Sequence, residues 1–455
     1  MAVASLIVGA SILILIHINS SSNDGFRYSI NSNYIGYKIS RIASTGSVRI
    51  IIISSNPDLQ LVHSLRGFYA KVDVLRITKQ SKDAVLQKIA KYIRSASRGS
   101  TIFVVDVREA SSRAGKLNLM KSVVKYIVFK LNTPIVLIGS PSDVKTMMRG
   151  TSSAYGVPSY IVTGKNKGNL RFIKIRLLVY GYLPPITIGY SVDVADVVYN
   201  SSKSGDIALA IRDVVGRMLN YLRTLKSRPL FEFTLPSQET KLLTQLDAKL
   251  DASPYGKINA RDAVYQVLDD GNPTYDWYIY RFIDQIVPGI QIWNNGWRNN
   301  KLIQALDADY DDPTGFLSYY SPSTYVGSET TTWTVELGIT GGKDKDGVSI
   351  GGSLTIGYSW SYSKPDVEII DRSDYSLELA KWENRINKDK AVGTSTVQLE
   401  PGAIIRFPEE GVHHFRTSYV GQWAEKHCLI LGYLCSWSYS DYMGLVVDWT
   451  IEPPS

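Results

Sequence analysis

Residues 330–363 read TTTWTVELGITGGKDKDGVSIGGSLTIGYSWSYS, and the C-terminal half of the chain is read outward from them. In the first limb Thr331, Trp333, Val335, Leu337 and Ile339 take alternate positions, with Thr332, Thr334, Glu336, Gly338 and Thr340 between them. In the second limb Val348, Ile350, Leu354, Ile356, Tyr358, Trp360 and Tyr362 alternate with serine, threonine and glycine. A period of two marks strands with one apolar and one polar face. Gly341-Gly342 and Asp346-Gly347 supply turn chemistry, so a long β-hairpin is predicted. Each limb has at least the roughly 9–11 alternating residues that a membrane strand requires. Burial of one face against a helix or second sheet produces the same alternation. Trp333, Tyr358, Trp360 and Tyr362 stand away from the turn, which favours burial, under a helix predicted around Trp382.

Around the hairpin, residues 316–451 read as β. Strands are predicted at Gly393–Leu399, Ala403–Phe407, His414–Trp423 and Tyr442–Ile451, punctuated by Pro401-Gly402 and Pro408–Gly411. Such spacing suggests an antiparallel sandwich. Thr274–Ile286 is aromatic and strand-like, whereas Gln238–Leu250 and the aspartate-capped Asp374–Ile386 are predicted as short helices. The block Tyr358–Ile386, YSWSYSKPDVEIIDRSDYSLELAKWENRI, resembles stretches of uncharacterised secreted or cell-surface proteins of archaea. The resemblance is confined to the C-terminal β region and includes no catalytic motif. It implies an extracellular setting.

The N-terminal half alternates apolar runs with helical patterns. Val48–Ile53, Val72–Ile77, Thr101–Val107, Ile135–Ile138 and Ser159–Thr163 read as buried strands, and helices are predicted between them. This order implies a parallel sheet covered on both faces, a flavodoxin- or Rossmann-like three-layer domain. Leu177–Tyr190 holds Pro184-Pro185 and is read as extended, and Asp206–Leu225 as an amphipathic helix.

Ala2–Ile18 is uniformly apolar and is read as a signal anchor or transmembrane helix, followed by a polar linker over residues 19–45. Cys428 and Cys435 are symmetric about Leu431-Gly432, so a hairpin there pairs them, and a disulfide suits an oxidising compartment. Charge is divided unevenly. Residues 1–230 hold 32 Lys and Arg against 11 Asp and Glu, while residues 231–455 hold 18 against 31. Two units with different surfaces follow, a basic one at 46–228 and an acidic one at 229–455, with head-to-tail self-association as a consequence. Basic residues scattered along helices, with no reader motif, argue against nucleic acid as a partner.

Candidate sites are few. The chain has no G-x-G-x-x-G, Walker loop or Cys-His pair at enzyme spacing. Asp106 lies at the carboxyl end of a predicted strand, where α/β sheets place ligands. Asp307, Asp309 and Asp311 form a carboxylate run suited to calcium, although the EF-hand glycine and closing glutamate are missing. His413, His414 and His427 do not converge as zinc ligands, because adjacent strand residues face opposite ways.

The fold class expected is therefore α/β plus mainly-β: an N-terminal membrane helix, a three-layer α/β domain, and an antiparallel sandwich-like domain carrying the hairpin. The first function expected is a membrane-anchored surface protein with a structural, adhesive or assembly role. Its Tyr-, Trp-, Ser- and Thr-rich β surface would suit carbohydrate. The alternative is a pore-forming or membrane-inserting hairpin, and a secreted hydrolase or carbohydrate-binding protein ranks third.

Overall fold

The computed structural model describes residues 48–77, 81–95, 101–108, 114–131, 133–164, 170–183, 186–190, 204–227, 240–268, 274–324, 332–337, 358–363, 366–429 and 434–452. Strand β1 (Arg49–Ser54), helix α1 (Leu59–Arg66), β2 (Lys71–Arg76), α2 (Lys82–Ser95) and β3 (Thr101–Asp106) open the chain. Helix α3 (Ala114–Lys125) runs into one π turn before β4 (Ile135–Gly139) and α4 (Pro141–Met148). Strands β5 (Ala154–Gly164), β6 (Leu170–Lys174), β7 (Leu178–Leu183) and β8 (Ile186–Tyr190) precede the long α5 (Ser204–Ser227). The second half begins with β9 (Thr240–Ala252), β10 (Gly256–Val267), β11 (Tyr275–Arg281), β12 (Asp284–Pro288) and α6 (Gly289–Trp293). Next come β13 (Trp297–Asp307), β14 (Phe316–Ser321), β15 (Thr332–Leu337), β16 (Tyr358–Ser363), β17 (Val367–Asp371) and β18 (Leu379–Ile386). Helix α7 (Ala391–Thr394), β19 (Val397–Leu399), β20 (Gly402–Pro408), β21 (His413–Leu429), β22 (Leu434–Tyr439) and β23 (Tyr442–Ile451) complete it.

Two large sheets and one ribbon hold all of these strands. Sheet I runs β14-β20-β11-β10-β9-β8-β7-β4-β3-β1-β2, with β12 and β19 alongside. Sheet II runs β17-β18-β13-β21-β23-β5-β6, with β22 on β21. The ribbon is β15-β16 alone.

The parallel segment is as the apolar runs predicted. β2, β1, β3 and β4 are parallel neighbours. Ile50–Ile53 and Phe103–Val105 are fully or almost fully buried, as they must be between two helical layers. Ser140 caps α4 in a reciprocal box with Asp143, and Asp58 caps α1.

The expected fold class is nevertheless overturned. The α/β sheet does not close as a separate layer. β4 pairs antiparallel with β7, β7 with β8, and β8 continues parallel into β9 of the acidic half. β5 leaves sheet I altogether and pairs along ten residues with β23 in sheet II. Pro158, which has no N–H to give a ladder, sits where the β5–β23 register shifts, and Ser159 is the extra residue. Among the described residues the chain is thus mainly β: α1–α5 belong to the N-terminal half, and the second half has only the short α6 and α7 and one 3₁₀ turn.

Among the described residues no helix is long and apolar enough to cross a membrane. The longest, α5, carries Asp206, Arg212, Asp213 and Arg217 within its first four turns. Residues 1–18, on which the membrane helix was predicted, lie outside the described residues.

Two predicted helices are strands. Of the predicted helix Gln238–Leu250 the described residues, from Thr240 on, belong to β9, and Asp374–Ile386 is one 3₁₀ turn followed by β18. Trp382 therefore belongs to a strand, fully buried, with its indole N–H donating to Pro322 O at 2.9 Å.

Sheets I and II face each other across an aromatic core. Trp449 stacks on Phe415 with centroids 5.6 Å apart, and Tyr280 meets Phe282, Phe415 and Trp449 edge-on. Trp423 reaches from sheet II to donate its N–H to Val287 O at 3.2 Å. Gly256 makes room for it: a Cβ there would lie 2.1 Å from the indole nitrogen.

Candidate functional site

The ribbon is the first candidate. Its register sets Trp333 opposite Tyr362, Val335 opposite Trp360 and Leu337 opposite Tyr358. Thr332, Thr334 and Glu336 stand opposite Ser363, Ser361 and Ser359. Apolar positions are thus in register with apolar positions and polar with polar. The backbone of β15 passes close to β14 and β20, yet neither hydrogen-bonds to it in a ladder. The predicted turn at Asp346-Gly347 lies outside the described residues.

A second exposed feature is the β21–β22 hairpin. Cys428 and Cys435 are opposite in register and joined by a disulfide, as their symmetric placement predicted. Beyond the bridge Leu434 is 65% exposed. Behind it the Trp437 ring is approached by Lys388 at 5.1 Å, Lys426 at 5.6 Å and Arg298 at 5.8 Å, and Tyr439 by Lys388 at 5.6 Å. Asp389 pairs with Lys426 at 3.5 Å, which offsets part of this charge. Sequence reasoning did not find this edge, because its cations come from three separate strands and loops.

Asp106 ends β3 and is nearly buried. Its carboxylate accepts from Arg108 Nε at 2.9 Å and a second guanidinium nitrogen at 2.7 Å, and from the Arg108 backbone N–H at 3.2 Å. The side chain is thus committed to its own turn.

The acidic run divides. Asp307, at the end of β13, is pushed up to about 7 by burial, then by the hydrogen bond and negative charge of Asp309. Asp311 occupies a left-handed turn with φ 59°. Burial works to raise Asp312, but hydrogen bonds from Thr314, His414 N–H and His413 outweigh it and hold the carboxyl below its usual range. Among the described residues no three acidic, imidazole or thiol groups converge as a metal shell would require. His413 bridges Asp312 and Pro408 O and stacks on Phe407, while His414 bonds Thr450 Oγ1 and His427 bonds Ser438 Oγ.

The most concentrated buried chemistry lies between the sheets. Asp262 on β10 and Asp284 on β12 are both fully enclosed, with Tyr280, Tyr419, Thr417 and Gln304 around them. A signal existed in the sequence. Asp262 stands between Ala260 and Val264, and Asp284 between Phe282 and Ile286, each an acid at an apolar register position.

No family model and no curated protein matches the chain. The resemblance of Tyr358–Ile386 to archaeal secreted or surface proteins is thereby overturned. Physically, the block holds β16, β17 and β18, and alternating aromatic and hydroxyl residues suit any half-buried strand. Solved structures give loose likenesses. Clostridium perfringens delta-toxin superposes with a TM-score of 0.32 at 12% identity, over 48% of this chain and 93% of that one. A structure described as a pore forming protein gives 0.31 at 10%, over 47% and 91%. The C. perfringens NetB toxin in its membrane-inserted form gives 0.25 at 7%, over 47% and 95%. Superpositions this loose carry no inference about fold or role.

Proposed function

We propose that the chain is an extracytoplasmic protein whose β15–β16 ribbon enters a lipid bilayer. The observation that supports this reading is the ribbon's separate ladder: among the described residues β15 and β16 pair only with each other, while every other described strand belongs to a large sheet. Its register sets the apolar positions Trp333, Val335 and Leu337 opposite Tyr362, Trp360 and Tyr358. That is the alternation a lipid-facing strand requires. The disulfide between Cys428 and Cys435 supports an oxidising setting.

In hydrocarbon a lone ribbon leaves two unpaired edges, so insertion demands closure into a barrel of several copies. Further copies of this chain are therefore the implied partners. A basic N-terminal half meeting the acidic half of the next copy gives a heterologous, ring-forming contact. The structural or adhesive role first expected leaves the separate ribbon without a task and is the weaker reading.

The test is release of an entrapped dye from lipid vesicles by the purified protein. Wild type should release dye, and Val335→Asp should abolish release while circular dichroism and melting temperature stay unchanged. Absence of release from neutral and anionic vesicles alike, at both about pH 5 and about pH 7.5, would remove the reading. So would full release by Val335→Asp.

A further inference from the structure

The buried acids between the sheets form a connected group. Register sets Asp284 of β12 opposite Ala260 of β10, so Asp262, two residues on, is its diagonal neighbour on the same face. Asp262 Oδ2 accepts from Tyr280 Oη at 2.6 Å and also from Tyr419 Oη. Tyr280 belongs to sheet I and Tyr419 to sheet II, and their hydroxyls are 3.0 Å apart. Asp284 Oδ2 accepts from Gln304 Nε2 of sheet II at 2.7 Å, and Asn384 Nδ2 donates to Gln304 Oε1 at 2.9 Å. Thr417 Oγ1 lies 2.7 Å from Tyr419 Oη and accepts from Trp449 Nε1 at 2.8 Å. Asp262, Asp284, Gln304, Asn384, Thr417, Tyr280 and Tyr419 all have zero exposure.

Each acid keeps one oxygen, Oδ1, without a well-formed hydrogen bond among the described residues, although the backbone N–H groups of Ile283 and Arg261 act on Asp262 and Asp284. As diagonal neighbours on one face the two carboxyls lie close enough for each to act on the other's titration. Two buried carboxylates side by side with no cation would be very costly, and one proton between them removes both the repulsion and the orphaned oxygens.

We propose that Asp262 and Asp284 are a proton-sharing carboxylic acid–carboxylate pair that ties sheet I to sheet II, and that uptake of a second proton makes this seam stronger in mild acid than at neutral pH. Asp284 is the acid that donates, and Asp262 the carboxylate that accepts.

The directions of titration agree. Burial, then the charge of Asp262, hold Asp284 well above the usual carboxylate range. Burial raises Asp262 to about 6, although the donors around it pull the other way. The facing groups are Tyr280 from β11 and Tyr419 from β21, both held well above 10 first by burial and then by Asp262. Gln304 from β13, Asn384 from β18, and Thr417 and Trp449 from β21 and β23 do not ionise. The strongest influences on the two acids are burial, each other and hydrogen bonds, with no cation among them.

In the unfolded chain both aspartates lose their protons near 3.9. Between that value and about 6 the folded state holds protons the unfolded state has lost, so stability falls as pH rises and is recovered as pH falls. Each such proton changes the folding equilibrium up to about tenfold per pH unit. The pair does not depend on the role of the ribbon.

The test compares melting temperatures at about pH 5 and about pH 7.5. Wild type should melt higher at the acid pH. Asp262→Asn/Asp284→Asn keeps the shape and stays neutral, so most of that difference should vanish, measured in an Asp307→Asn background to silence the half-buried acid that titrates in the same sense. An undiminished difference in the double variant overturns the proposal. Should the double variant fail to fold, infrared spectroscopy of the wild type with labelled aspartate decides. A protonated-carboxyl stretch at about pH 7.5 that resists solvent exchange is expected, and its absence overturns the proposal.

Discussion

Asn384 shows how a single residue can conceal a strand. In β18 the buried positions are Ala380, Trp382, Asn384 and Ile386, a strict alternation. The amide at the third position, together with helix-forming Leu, Glu, Ala and Lys, made the segment look like a helix. In the structure the amide nitrogen is satisfied inside the core, donating to Leu302 O at 3.0 Å and to Gln304 Oε1, while Oδ1 has no hydrogen-bond partner among the described residues. Two predictions belong at this scale. Gly256→Ala should force Trp423 off Val287 O and cost about 1–3 kcal/mol of stability, as overpacking does. Urea denaturation measures it, and an unchanged midpoint would mean the indole moves freely. For Asp307, raised to about 7 by burial and Asp309, the folded state holds its proton above pH 4, so stability declines as pH rises toward 7. Asp309→Asn should lower that midpoint, read by carbon-13 NMR of the Asp307 carboxyl.

At the scale of elements, short apolar runs were legible because burial on both faces leaves no alternative composition: β1, β3 and β4 are built on the runs Ile50–Ile53, Ile102–Val105 and Ile135–Ile138, all Ile, Val, Leu and Phe. The amphipathic α5 and the β15–β16 pairing were legible through periodicity. β9 was not. Its register shifts near Leu243, so Leu243, Leu246 and Leu250 fall at helical spacing although the strand buries alternate residues beyond the bulge. The disulfide across β21–β22 was read from symmetry, and removing it has a bounded cost. Closing a loop this short constrains the unfolded chain by about 2.5 kcal/mol. Cys428→Ser/Cys435→Ser should lose no more than that. Hydrogen exchange should quicken in Lys426–Leu429 and Leu434–Trp437 while the ladder from His413 to Gly421 stays protected.

Across the whole molecule the sequence described two halves by charge, and the halves are interleaved in space. Charge is a property of surfaces, whereas strand exchange depends on which ladder each edge completes, and composition contains no trace of that. β5 lies within sheet II and β9 extends sheet I. Residues 46–228 and 229–455 expressed separately are therefore expected to be poorly folded alone and to associate when co-expressed. Two monodisperse, well-folded fragments by size-exclusion chromatography would contradict the shared sheets.

The positions of the tryptophans have an optical consequence. Trp277, Trp382, Trp423 and Trp449 have at most 1% exposure, so their emission should be blue-shifted and shielded from iodide until the sandwich melts. Trp333 and Trp360 belong to the ribbon. With Trp293, Trp297 and Trp437 replaced by phenylalanine, the quenchable remainder of the fluorescence reports on the ribbon alone. Brominated lipid added to such a protein would dim that component if the ribbon enters the bilayer, and leave the spectrum untouched if it does not.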